Sequence, residues 1–331
     1  MLPAPPRLNH RRVLTAAAAI AAVLGLLLWW LLPLGGRSPA GKIDFSTGVR
    51  TGVYQRYGEL LQQALASDLP KVQVNLRTSQ GSQENLARLA DGTSDFTIAT
   101  ADSVDKFRKD NKPGADLLRG CARLYDDYVQ LVVPQDSPVR SVADLRGKRV
   151  AVGQAGSGVR LLADRLLPAA GLDPDHDITP VPAGIDTMPD LLRQHRIDAF
   201  FWSGGLPTTA VLRLSETYPI RLVPLAELVS ALHKADGSTG YYRAATMPAD
   251  AYPKAQRGVP VPTIAVANLL VTTDRTNAAL TEGFTRTVIN SRDRIGREVH
   301  AAQLVDLRTA IYTAPLPLHD GARDYYRSVK P

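Results

Sequence analysis

Short runs of alternating apolar and polar residues recur along this chain. Each is followed by a glycine-bounded polar loop and then by apolar residues at helical spacing. Ile43-Asp44-Phe45 alternates as a strand, Ser46 to Tyr54 forms the loop, and Val53, Tyr57, Leu60, Leu61, Ala64 and Leu65 share one helical face. Val72, Val74 and Leu76 repeat the strand pattern and lead to Gly81-Ser82. Leu86, Leu89 and Ala90 then mark a short helix, Asp91-Gly92 a turn, and Phe96 and Ile98 a strand that ends at the polar corner Thr100-Ala101-Asp102. Two further strands are expected at 117–124 and 128–133, the second stopped by Pro134. The pattern then restarts: a short helix from Ser141, a strand at 149–152, the loop Gly153 to Gly158, and a helix carrying Leu161, Leu162, Leu166 and Leu167 that Gly171 ends. Strands at 178–181, 199–202 and 220–223 follow, with helices between them. Several prolines precede a long strand over 263–271, and helices are expected over 276–294 and 299–311.

Repeated strand, loop and helix units predict an α/β protein of two lobes joined by two crossings. Residues 43–133 plus 262–331 make the first lobe and 134–261 the second. In open α/β sheets, ligands sit beyond the carboxyl ends of strands, where loops become helix N-termini. Three such openings, at Thr51-Gly52, Gly81-Ser82 and Ser157-Gly158, belong to that edge, with Gly204-Gly205 as a fourth. The first amides of a helix lack intrahelical partners and carry partial positive charge, which suits anionic or polar solutes. One such opening is equally an ordinary capped helix; several at one edge favour a shared cleft.

Composition changes the picture mainly at the N-terminus. Arg7, His10, Arg11 and Arg12 form a basic segment, 1–12, ahead of 13–34, which contains no charge and ends near Trp29 and Trp30. This predicts a transmembrane or signal helix, read as an uncleaved anchor, with cleavage near Ala40 as the alternative. The rest of the chain is then extracytoplasmic. Of the formal charge of +7, four arginines lie in the first forty residues; 35 basic residues against 32 acidic remain, which is no nucleic-acid signature. The single cysteine, Cys121, excludes an internal disulfide.

No motif for covalent chemistry or cofactor binding stands out. Gly153 to Gly158 spaces its glycines as G-x-x-G-x-G, unlike the dinucleotide fingerprint, and no phosphate loop or nucleophile elbow is present. The six histidines are scattered and read as surface residues. Asp126-Asp127 reads as a pair of loop acids. No enzyme activity, cofactor or metal is expected.

Several ordered motifs resemble the TAXI solute receptors of TRAP transporters. These are Thr47-Gly48-Val49-Arg50-Thr51-Gly52-Val53-Tyr54, Gln80-Gly81-Ser82-Gln83-Glu84-Asn85, Asp102, the stretch 141–153, Gly156-Ser157-Gly158, and Ile197-Asp198-Ala199-Phe200-Phe201 with Gly205-Leu206-Pro207. The likeness extends over about 43–271. It implies a type II periplasmic-binding-protein clam-shell that takes up an organic acid or acidic amino acid and delivers it to a TRAP-type permease. It places Thr51, Gly52, Tyr54, Gly81, Ser82, Asn85 and Asp102, with Thr100 beside it, on one wall, and Ser157, Gly158 and Gly205 on the other. Val53 and Val159 stand where the family usually has threonine, and Gln80 replaces a glycine. Arg50 and Arg160 are additions beside those loops. One of them clamps a carboxylate, or both are solvated. Trp202 either floors the pocket or fills the core. A membrane-tethered ligand sensor on the same fold is the competing reading, and it needs another chain to signal through.

Overall fold

The computed structural model describes residues 39–235 and 238–329, together with Ile20, Ala22 and Val23. The basic segment and nearly all of 13–34, on which the membrane expectation rests, lie outside the described residues. Among the described residues, no helix is long and apolar enough to cross a membrane.

From Pro39 onward the chain forms one compact unit built on a ten-stranded sheet. The strands are β1 (Gly41–Ser46), β2 (Val72–Arg77), β3 (Phe96–Thr100), β4 (Leu118–Pro134), β5 (Arg149–Ala151), β6 (Thr179–Val181), β7 (Ala199–Gly204), β8 (Ile220–Val223), β9 (Arg243–Met247) and β10 (Val261–Thr273). The helices are α1 (Val53–Asp68), α2 (Ser82–Ala90), α3 (Ala101–Lys109), α4 (Gly158–Ala169), α5 (Met188–Arg193), α6 (Thr209–Thr217), α7 (Val229–Lys234), α8 (Pro253–Gln256), α9 (Ala278–Asn290), α10 (Arg292–Gly296), α11 (Leu307–Ala310) and α12 (Asp320–Val329). Strand order is β2-β1-β3-β10-β4-β7-β5-β6, with β8 added to β4 and β9 to β10.

Two strands run through both halves. β4 pairs antiparallel with β10 from Leu118↔Thr273 to Tyr128↔Ala265, then continues between β7 and β8. β10 pairs with β3 at Asn268–Val271 and with β9 at Val261–Ala265. Both strands therefore change partners between Asp126 and Tyr128 and between Ala265 and Asn268, and the β4–β10 register shifts just beyond, between Ala267 and Leu269 and between Leu270 and Val271. The first half is a parallel β1-α1-β2-α2-β3 layer on this pair. Its core stacks Phe284 of α9 on Phe96 at 4.1 Å between ring centroids, with Phe45 beyond at 6.0 Å. In the second half, Val150, Leu162, Leu166 and Phe201 fill one sheet face, and Ile185, Met188, Phe200 and Val211 the other.

Four readings change. The strands expected at 117–124 and 128–133 are one, because Asp126 and Asp127 pair with Ala267 and Val266 of β10 and the strand runs unbroken through Tyr125. The helix expected over 276–294 breaks at Ser291, dividing α9 from α10. Residues 299–311 hold only a 3₁₀ turn, His300–Leu304, and the one-turn α11. The polar corner at Thr100 opens α3, and α12 adds a C-terminal helix whose Tyr326 hydroxyl donates to the Cys121 carbonyl at 3.1 Å.

His319 is not on the surface: it is 3% exposed, its Nδ1 accepts from Gly321 N at 3.1 Å, and its Nε2 donates to the Thr276 carbonyl at 3.1 Å. Burial holds its pKa below the usual imidazole value. As pH falls through about 6.5, the unfolded chain takes up a proton that the fold resists, so stability drops with acidification until the folded pKa is passed. His319→Gln keeps one acceptor and one donor without titrating. Urea titrations from pH 8 to pH 5 are expected to show a weaker loss of stability in this variant than in the parent.

Candidate functional site

The partner switch at the centre of the sheet opens a cleft between the halves, and a partly open cavity of about 60 Å³ lies there. From the first half it is lined by Gly48, Val49, Gly52, Val53, Tyr54, Gln80, Gly81, Ser82, Thr100 and Asp102. Asp127 and Val266 come from the crossing strands. Gly153, Gln154, Ser157, Gly158, Val159, Leu162, Ala183, Gly184, Met188, Trp202, Ser203 and Gly204 close it from the second half.

Four helices start at this cavity. The starts of α1, α2 and α3, capped by Gly52, Gly81 and Thr100, have no side-chain cap bond. That of α4 is capped by Ser157, whose Oγ accepts from Arg160 N at 3.0 Å. Two glycines are required by geometry. Gly81 has φ +130° and lies against Ser157, where an added Cβ would sit 3.5 Å from the Ser157 Cα. Gly153, at φ +86°, has no room for a Cβ, which would come within 2.7 Å of Arg160 N.

A buried polar chain runs along the first wall and onto the crossing strands. Thr100 N donates to Ser82 Oγ at 3.2 Å, Ser82 Oγ lies 3.3 Å from Tyr54 Oη, and the Tyr54 hydroxyl donates to Asn268 Oδ1. Asn268 Nδ2 in turn donates to Asp127 Oδ1 at 2.7 Å. Because the Tyr54 proton is used on Asn268, the Ser82 hydroxyl donates to Tyr54. Burial raises the Tyr54 pKa further, so this phenol stays a donor. Asp127 is 3% exposed, and desolvation pushes its pKa up to about 7, opposed in part by Asn268.

The halves are clasped beside the cavity. Asp102 Oδ2 accepts from Tyr242 Oη at 2.6 Å and from Arg165 Nη1 at 3.1 Å, both from the second half. Glu84 N donates to the Gly156 carbonyl and Gln83 Nε2 to the Ser157 carbonyl, each at 3.0 Å. Three buried polar atoms of lining residues have no hydrogen-bond partner among the described residues: Asp102 Oδ1, Gln154 Oε1 and Ser203 Oγ.

Gly52, Tyr54, Gly81, Ser82, Thr100, Asp102, Ser157 and Gly158 of the expected set therefore meet at one cavity. Five others lie elsewhere. Asn85 is fully buried behind the wall, donating to the Thr47 and Ile98 carbonyls and accepting from Ser46, so it holds the loop and leaves nothing for a guest. Arg160 turns to Asp164, with Nε 2.9 Å from Oδ1, and Arg50 lies in an outer groove with Thr51. Gly205 packs against Ala301 and Val53. The two arginines proposed for a carboxylate clamp are thus turned away from the cavity, and among the described residues no Lys, Arg or His lines it. Asp127, Asn268, Gln154, Ser203 and the Arg165–Tyr242 pair were not anticipated. The one sequence signal for Asp127 was the pair of strand-like apolar runs that flank it, which does not by itself distinguish a strand acid from a loop acid; the others had none.

Two α/β halves joined by paired crossing strands and closed over an inter-lobe cavity define the periplasmic-binding-protein fold. The structure is similar to a putative L-cystine ABC transporter protein from Listeria monocytogenes, at 14% identity over 81% of this chain and 99% of that one, with a TM-score of 0.52. It is also similar to an ancestral arginine-binding protein bound to arginine, at 14% identity over 80% of this chain and 99% of that one, with a TM-score of 0.51. The model of the NMT1-like family matches residues 45–329, and the chain belongs to that family.

Two outcomes follow from this geometry. The Asp127 carboxyl keeps its proton to about pH 7 in the fold but loses it near 4 when unfolded, so stability falls as pH rises between those values and stays low above them. Asp127→Asn is expected to raise the melting temperature at pH 8, with the gain shrinking toward pH 4 in calorimetric scans. Arg165→Leu strands a buried carboxylate at Asp102 and is expected to lose roughly 3 kcal/mol in urea titrations. Small-angle scattering of the same variant should show a larger radius of gyration as the halves part, and adding Asp102→Asn should restore most of the lost stability.

Proposed function

We propose that this protein is an extracytoplasmic solute receptor that closes its two lobes on a small polar solute and passes it to a membrane permease. The observation that carries the reading is the cavity at the crossing strands, at which four helix N-termini meet, three of them without a side-chain cap. The positive ends of these helices favour the anionic end of a guest, in keeping with an organic acid or acidic amino acid. Gly52, Gly81, Ser82, Thr100, Ser157 and Gly158 supply that end of the site. Asp102 takes part in closure, because its partners Arg165 and Tyr242 lie across the cleft. The hinge belongs to the partner switch in β4 and β10.

The finer assignment rests on the ordered motifs that resemble the TAXI receptors. On that basis the partner is a TRAP-type permease, and 13–34 tethers the receptor beside it, which raises its effective concentration at the permease. The crossing strands and cleft serve binding and release and need no nucleophile or cofactor.

Native mass spectrometry of the full chain released gently from membranes is expected to show a small bound molecule that is lost on denaturation. Adding it back at about 100 times its Kd should stabilise the protein by roughly 2.7 kcal/mol. A chain that carries nothing, and whose melting temperature is unmoved by organic acids and amino acids, would count against a receptor role.

A further inference from the structure

Resting on that receptor reading, the acceptor chemistry of the cavity narrows the guest. We propose that the solute carries a protonated amine, held by Asp102 Oδ1, Gln154 Oε1 and Ser203 Oγ together with Asp127, against the rings of Tyr54 and Trp202.

The three unpartnered atoms are two acceptors and one hydroxyl, all buried. Leaving such atoms unsatisfied costs free energy that a donor-bearing guest would recover. The charges agree. Asp102 is balanced by Arg165, whereas among the described residues the Asp127 carboxyl has its hydrogen bond from the neutral Asn268 amide and no basic side chain lines the cavity. Burial holds the Asp127 carboxyl protonated to about pH 7; an anionic guest beside it would disfavour its charged form further, whereas an ammonium would stabilise the carboxylate and gain a countercharge. Tyr54 and Trp202 also line the cavity, and aromatic faces attract organic cations. The Trp202 indole N–H is already used, donating to Thr208 Oγ1 at 3.0 Å, so its ring and not its donor faces this task. The uncapped helix starts and the acceptor set thus serve opposite charges of one guest, which makes an amine-bearing acid a better fit than a plain organic acid.

The test is a thermal-shift panel on the full chain in detergent, using matched pairs that differ only in the amine: L-glutamate and glutarate, L-aspartate and succinate, L-alanine and propionate, L-arginine and 5-guanidinovalerate. The amine-bearing member of at least one pair is expected to raise the melting temperature where its partner does not. Calorimetric titration of that compound should then show a loss of affinity of about 10-fold or more in Gln154→Leu and in Ser203→Ala. Both substitutions remove an unsatisfied buried atom, so the ligand-free melting temperature should not fall, which separates lost binding from lost folding. If amine-free acids bind as well as their partners, or if both variants keep full affinity for the amine, the inference is overturned while the receptor reading stands. If sodium or potassium chloride alone reproduces the shift, the acceptor set holds a metal cation and the inference is overturned. No shift with any compound, and none with an extract of small metabolites, would overturn the inference and the receptor reading together.

Discussion

β4 and β10 hold each other from one end of the first half to the middle of the sheet, and each then leaves its old neighbour for a new one in the second half. A sheet whose two long central strands change partners at the same level has a seam there. Besides the crossing strands, the halves are held at the seam by the Glu84 N–Gly156 carbonyl bond, the Gln83 amide on the Ser157 carbonyl and the Asp102 contacts, so relative motion works against a short set of bonds. Hinge motions are absorbed by a few residues at element boundaries, and the register shifts beside Ala267 and Leu270 put local irregularity at that level.

The polar residues of the cavity gather at this seam for a related reason. Asp127 and Asn268 occupy the crossing strands themselves, Tyr54 and Ser82 reach them from the starts of α1 and α2, and Thr100 stands where β3 becomes α3. One chain of hydrogen bonds thus ties three helix starts to the hinge. Asp102 adds the contact that depends on closure, since its Arg165 and Tyr242 partners lie in the other half. A buried ion pair of this kind gains little over well-packed apolar groups but is costly to break on one side. It suits an element with two positions better than a permanent strut.

The arginines show how a plausible assignment is lost. Arg50 and Arg160 stand next to glycine loops that do meet at the cavity, yet Arg50 precedes the start of α1 and lies in the outer groove, and Arg160, in the first turn of α4, is turned to Asp164. Arg160 found Asp164 four residues on, a pairing common on helix surfaces. Arg165, one turn further along α4, reaches Asp102 instead.

Alternation and helical spacing were enough to place β1, α1, β2, α2, β3 and the glycine openings, because those patterns reflect which face each element buries, and burial is a local choice repeated along the chain. The glycine openings, together with the family resemblance, named eight residues that line the cavity and five that do not. Joining Tyr125, Asp126 and Asp127 into one strand was beyond it, since the two acids are met there by Asn268 and Arg243 from far along the chain as well as by Arg123 three residues before Asp126. The division of α9 from α10 and the clasp on Asp102 were beyond it too. Charge balance in a cleft depends on which distant side chains arrive there and which have been spent elsewhere, and that is settled only when the halves pack.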